Sequence, residues 1–149
     1  MIWRTHLAVG IGAALYFLPR VTHKFSFLIF VIFATMLPDI DKGNSKFGNH
    51  AVFRPFQTVL KHRGILHTYT FCIFVSLILA FFYPVFALPF FVGYSMHLLL
   101  DSFTVDGIQP FWPIKRKSDG LVHSGGAVDT AIFGTVIVMD VLLMINLLI

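Results

Sequence analysis

Five apolar stretches, about Leu7 to Leu18, Phe25 to Leu37, Thr70 to Tyr83, Val85 to Leu100 and Ala127 to Ile149, are separated by short segments that carry nearly every charge. In hydrocarbon every backbone polar group must be satisfied within its own segment, so stretches of this kind read as membrane helices. With 57% hydrophobic residues, 12% charged residues and a mean hydropathy of +0.83, the chain cannot solvate itself as a water-soluble globule. The expected fold is all-α: one domain over residues 1–149, a polytopic bundle of about five transmembrane helices with polar loops and a metal site on one face. Little more than Pro84 joins the third and fourth stretches, which predicts an antiparallel helical hairpin, and Pro89 is a candidate kink in the fourth. The first two stretches are short for a hydrocarbon core about 30 Å thick, so their polar ends should lie sunken. Residues 1–18 lack a small-residue cleavage site, since Pro19, Arg20, His23 and Lys24 follow, and are expected to stay as a helix rather than a cleaved signal. Cys72, the one cysteine, excludes an intramolecular disulfide and a cysteine zinc cage, and reads as a small core or lipid-facing residue.

Alternating spans put the N-terminus, Pro38 to His67 and Asp101 to Gly126 on one face. That face holds Arg4, Lys42, Lys46, Arg54, Lys61, Arg63, Lys115, Arg116 and Lys117, against Arg20 and Lys24 on the other. The asymmetry predicts a cytoplasmic-membrane protein whose N-terminus and polar loops face the cytoplasm. The net charge of +4 then reports orientation and contact with anionic headgroups, and no nucleic-acid partner is expected.

On this topology His6, Asp39, Asp41, His62, His67, His97, Asp101, His123 and Asp129 fall at helix ends on the same face. Such convergence is what a metal site between helices requires. His97 and Asp101, four residues apart, share one helical face and could grip one ion; a buried His–Asp hydrogen bond joining two helices would give the same spacing. Asp39 and Asp41 sit at a proline-marked helix boundary, as ligands or as a solvated turn. His62 and His67 need a bend near Gly64 to reach a common centre, and Arg63 between them suits a phosphate or developing oxyanion, or else lipid headgroups. His6 alone reads as an interfacial histidine. His123 and Asp129, joined through Gly125 and Gly126, are candidates only for a second site. Asp140, within the last stretch, reads as a helix-packing residue, and Gly10 and Gly12 as close-packing positions.

Thr5-His6 with Gly10 and Gly12, Leu37-Pro38-Asp39-Ile40-Asp41, His62-Arg63-Gly64-Ile65-Leu66-His67-Thr68, and Gly93-Tyr94-Ser95-Met96-His97-Leu98-Leu99-Leu100-Asp101 through Thr104, Gly107 and Trp112-Pro113 together resemble the YdjM-like family of membrane-bound metal-dependent hydrolases. That family is distantly similar to the zinc-dependent phospholipase C and single-strand nuclease group. The analogy sets His97 and Asp101 on its helical His-x-x-x-Asp, Asp39 or Asp41 on an earlier aspartate and His62 on an earlier histidine. The chain has no glutamate and no second helical His-x-x-x-acid pair after Asp101, which leaves one or two ions open.

The resulting expectation is a membrane hydrolase in which His62, His97, Asp101 and Asp39 or Asp41 hold a divalent metal, with His6 and His67 completing that shell or holding a second ion. Nitrogen and carboxylate ligands without thiolate suit zinc first, with manganese, iron or cobalt compatible. Arg63 would stabilise negative charge and a spare carboxylate such as Asp41 would act as base. A centre at headgroup depth points to a phosphodiester or phosphate ester of a lipid-like substrate. The rival readings are a metal transporter or sensor and a structural membrane subunit.

Overall fold

The computed structural model describes residues 1–41 and 64–149, with residues 40 and 41 described by their backbone alone. It is all-helical, with no strand among the described residues. The helices are α1 (Trp3–Phe17), α2 (Lys24–Met36), α3 (Tyr69–Phe82), α4 (Pro84–Ser102) and α5 (Ala127–Leu148), joined in part by short 3-10 turns at Leu18–Arg20, Leu37–Asp41 and Ile65–His67. The five apolar stretches thus become five helices, and Tyr83 alone separates α3 from α4 in the expected hairpin. Pro89 is accommodated within a continuous α4.

The all-helical bundle of five helices is as expected, while length supports a full crossing for two of them. Only α4, with 19 residues, and α5, with 22, are long and apolar enough among the described residues to cross a membrane. The 15, 13 and 14 residues of α1, α2 and α3 rise about 20 Å each, short of a hydrocarbon core of about 30 Å.

Helix α4 is the centre of the bundle, packing on α1, α2 and α3, while α5 packs chiefly on α1. One apolar cluster, with Ala34, Cys72, Phe90, Tyr94 and Leu98, fills the space between α2, α3 and α4; a second, with Ala14, Phe27, Val31 and Val92, fills that between α1, α2 and α4. Cys72 is a buried core residue. The outward faces of α3 and α5 expose Phe74, Leu77, Phe81, Val138 and Leu142, the apolar surface a membrane would cover.

Small residues set how closely the helices approach. A Cβ at Gly93 would meet the Val31 carbonyl oxygen and come within 3.0 Å of the Ala34 side chain, so α4 crosses α2 nearly backbone to backbone. Gly10 faces Thr35 on α2 and Gly12 faces the Asp140 carboxylate on α5, which places both in the close-packing role read from the sequence. At the N-terminal end of α1, no side chain of its own caps the helix. Instead Asp129, at the start of α5, accepts from the Ile2 amide (3.1 Å), the Thr5 hydroxyl (2.7 Å) and the Gly125 amide (2.7 Å). A carboxylate at a helix N-terminus also complements the helix dipole.

The segment after α4 folds back through isolated bridges, Thr104 to Val122 and Ile108 to Ser118. Buried Thr104 donates to the Asp101 carbonyl (2.7 Å), and its own carbonyl accepts from Gly107 and Gly120, which ties this loop to the last turn of α4.

Overpacking of the α2–α4 crossing gives a direct check. Gly93→Ala should lower stability by about 1–3 kcal/mol, whereas Gly134→Ala, where an added Cβ meets nothing within 4 Å, should be neutral or slightly stabilising. Thermal unfolding of the purified protein in detergent measures both.

Candidate metal centre

His97 is the pivot of the polar cluster. It lies one turn beyond Gly93 on the face where α4 meets α2, so the close crossing brings its ring to the exposed end of the α2 backbone. Its Nδ1 lies 2.8 Å from the Thr35 carbonyl oxygen. A carbonyl can only accept, so Nδ1 carries the proton and Nε2 presents its lone pair. A second-sphere carbonyl that fixes the tautomer in this way is the usual support of a metal-bound histidine.

Around that lone pair stand side chains from four other places in the chain. Asp101, one turn further along α4, puts Oδ2 3.6 Å from His97 Nε2 and 3.9 Å from His67 Nε2. Asp39, on the turn that ends α2, puts Oδ1 3.8 Å from His97 Nε2. His6, in the first turn of α1, stacks on the His97 ring at 4.0 Å between centroids and holds Nε2 3.2 Å from Asp101 Oδ1. The Met1 ammonium lies 2.8 Å from that same Oδ1, which leaves Oδ2 turned toward the histidines. His6, His67, His97 and Asp101 are fully buried and Asp39 nearly so.

His67 is held from two sides. Its 3-10 turn closes through His67 N to the Gly64 carbonyl (3.0 Å), and Thr68 then caps α3 by accepting from the Phe71 amide (3.1 Å). From α4, the Tyr94 hydroxyl donates to the Leu66 carbonyl at 2.5 Å.

These distances test whether the residues fit an ion. Donor atoms bound to one tetrahedral zinc at about 2.0–2.1 Å lie about 3.3 Å from one another. The separations around His97 and Asp101, 3.6 to 3.9 Å, are longer than good hydrogen bonds and somewhat longer than that edge, so the side chains would draw inward on an ion. Among the described residues His97 Nε2 and Asp101 Oδ2 are moreover buried without a hydrogen-bond partner, which is costly for any arrangement that nothing else completes. Two groups, His6 with Asp39 and His97, and His67 with His97 and Asp101, each bring their ligand atoms within 4.8 Å. Both use His97, whose only available nitrogen is Nε2, so among the described residues they share one pocket.

Of the residues expected from the sequence, His6, Asp39, His67, His97 and Asp101 come together. His62, Arg63 and the Asp41 side chain lie outside the described residues. His123 is exposed and Asp129 is engaged as the cap of α1, and neither belongs to a metal-compatible group among the described residues. Asp140 packs against Gly12, in the helix-packing role expected of it. Sequence reasoning missed three supports: the Thr35 carbonyl, the Tyr94 hydroxyl and Gly93. The signal for the last was present, because Gly93, His97 and Asp101 recur every four residues along one stripe of α4.

A family model described as YdjM inner membrane protein matches residues 1–148. The chain belongs to this family. The YdjM family is one of inner-membrane proteins, which accords with the apolar faces of α3 and α5 and with the two helices long enough to span. No curated protein and no solved structure matches this member of the family.

The different fates of Asp129 and His123 can be checked by stability. Asp129→Ala strands three donors and should cost about 3 kcal/mol or more, while His123→Ala should change stability by less than about 0.5 kcal/mol. Thermal or denaturant unfolding of the purified variants reads the difference.

Proposed function

We propose that the chain is a membrane-embedded, metal-dependent hydrolase acting on a phosphodiester or phosphate ester of a lipid-like substrate. One observation carries the reading: His97 Nε2, its tautomer set by Thr35, meets Asp101 Oδ2, Asp39, His67 and His6 in a buried pocket that lacks thiolates. When bound there, a zinc-like divalent ion supplies Lewis acidity and a water whose pKa is lowered toward about 7. Manganese, iron or cobalt would serve the same ligand set, and one or two ions are compatible with it once His62 is counted.

The chain's own residues supply the rest. His97, Asp101, His67 and His6, with one of Asp39 or Asp41, would hold the ion, and the Thr35 carbonyl keeps the His97 ring from turning. The other of these two carboxylates would accept a proton from the attacking water. Arg63, beside His62 and His67 in sequence, holds the phosphoryl oxygens with its planar fork. The burial of the centre keeps bulk water from competing for the ligands.

In this reading all five helices traverse or enter the bilayer, the shorter three with their polar ends below the headgroups, where the local bilayer adapts to them. The N-terminus and the centre face the cytoplasm, as the nine basic residues of that face against two on the other support. A metal at that depth stands beside the ester bonds of phospholipids.

Purification without added metal, elemental analysis and a phospholipid-cleavage assay test the proposal together. Wild type should carry one or two divalent ions per chain and release headgroup or phosphate, and His97→Ala should lose metal and reduce turnover by at least about 100-fold. Metal bound with no turnover on any phosphoester would instead favour transport or sensing. Absence of metal, with His97→Ala as stable as wild type, would favour a structural subunit.

A further inference from the structure

The loop that follows α4 lines an open cavity of about 600 Å³ that the His–Asp centre does not use. Its walls include Phe111, Ile114, Arg116, Lys117, Ser118 and Asp119. The antiparallel bridge between Ile108 and Ser118, with amide–carbonyl bonds of 2.9 and 2.8 Å, holds one rim, and the Ile114 amide closes a turn on the Phe111 carbonyl at 2.7 Å. The loop is also fastened to α3: the Tyr69 amide donates to the Pro110 carbonyl (2.7 Å) and the Thr70 hydroxyl to the Trp112 carbonyl (3.0 Å). Tyr69 and Thr70 come two and three residues after His67, and Thr104 ties the other end of the loop to Asp101. The cavity therefore belongs to the same end of the bundle as the His–Asp centre.

Its chemistry is that of a bilayer interface. Phe111, Trp112 and Ile114 are 54%, 52% and 62% exposed, which is unfavourable in water and ordinary at headgroup depth. Lys117 lies 3.8 Å from Asp119, which offsets one cation against one carboxylate, while Arg116 has no carboxylate at ion-pair distance among the described residues. A planar guanidinium beside an ammonium, over apolar and aromatic walls, matches a phosphate ester whose other end is hydrocarbon. A free inorganic anion would use the cations but would leave the exposed apolar walls in water.

We propose that this cavity binds the headgroup of an anionic phospholipid of the leaflet at the His–Asp end of the bundle, with Arg116 and Lys117 on the phosphate and Phe111 and Ile114 against the glycerol and upper acyl chain. The proposal concerns binding, and it stands whether or not the centre turns lipid over.

Native mass spectrometry of the full chain in detergent, titrated with phosphatidylglycerol or with phosphatidylcholine of the same acyl chains, tests it. Phosphatidylglycerol should be retained preferentially. Arg116→Gln and Lys117→Gln should each weaken that retention about fivefold and their combination about 25-fold. Lys115→Gln, next in sequence but not in the wall, should leave it within about twofold. Bound metal should be unchanged in all three. Equal retention of the two lipids, equal effects of all three substitutions, which would mean general attraction to a basic segment, or displacement of phosphatidylglycerol by millimolar inorganic phosphate would each overturn the proposal.

Discussion

The hydrogen bond from His97 Nδ1 to the Thr35 carbonyl is the contact on which the rest of the centre depends. It exists because Gly93 lets α4 lie nearly backbone to backbone on α2. It consumes one nitrogen of the ring and commits the other to the pocket. Asp101 on the same stripe of α4, Asp39 at the end of α2 and His6 on α1 then face a lone pair of fixed direction. Were α4 displaced by the width of a methyl group, the ring could turn and the carboxylates would be buried without a common partner, at a cost of several kcal/mol.

The distant contacts serve the same arrangement. Asp129 anchors the first turn of α1, which carries His6, to the start of α5. Tyr94 reaches the Leu66 carbonyl and so fixes the turn that carries His67. Thr104 closes the end of α4 behind Asp101. Each support is a polar side chain engaged with a backbone group, of another segment for Asp129 and Tyr94 and of the preceding turn for Thr104, where the surrounding medium offers few competing hydrogen bonds.

Much of this was legible in the sequence, and for physical reasons. Hydropathy marked the five helices because each apolar run is bounded by charge, and the four-residue spacing of His97 and Asp101 marked a shared face. Alternation of the helices then gathered His6, Asp39 and His67 at the same end without any knowledge of packing. The supports were not legible, since a backbone carbonyl such as that of Thr35 carries no side-chain signature. Asp129 illustrates the converse: its residue type suits metal binding, yet Ile2, Thr5 and Gly125 engage its carboxylate, and only three-dimensional proximity reveals that. Hydropathy reports apolar character but not helix length, so it did not show that α1, α2 and α3 end after 13 to 15 residues.

The central claim is that one buried pocket of imidazoles and carboxylates holds a metal ion. X-ray absorption at the metal edge of protein purified without added metal measures that shell directly. The account predicts nitrogen and oxygen scatterers at about 2.0–2.1 Å, no sulfur, and the outer-shell scattering of at least two imidazole rings, with this signal lost in His97→Ala along with the metal. A spectrum of ordinary solvated ion, or one unaltered by His97→Ala, would contradict it.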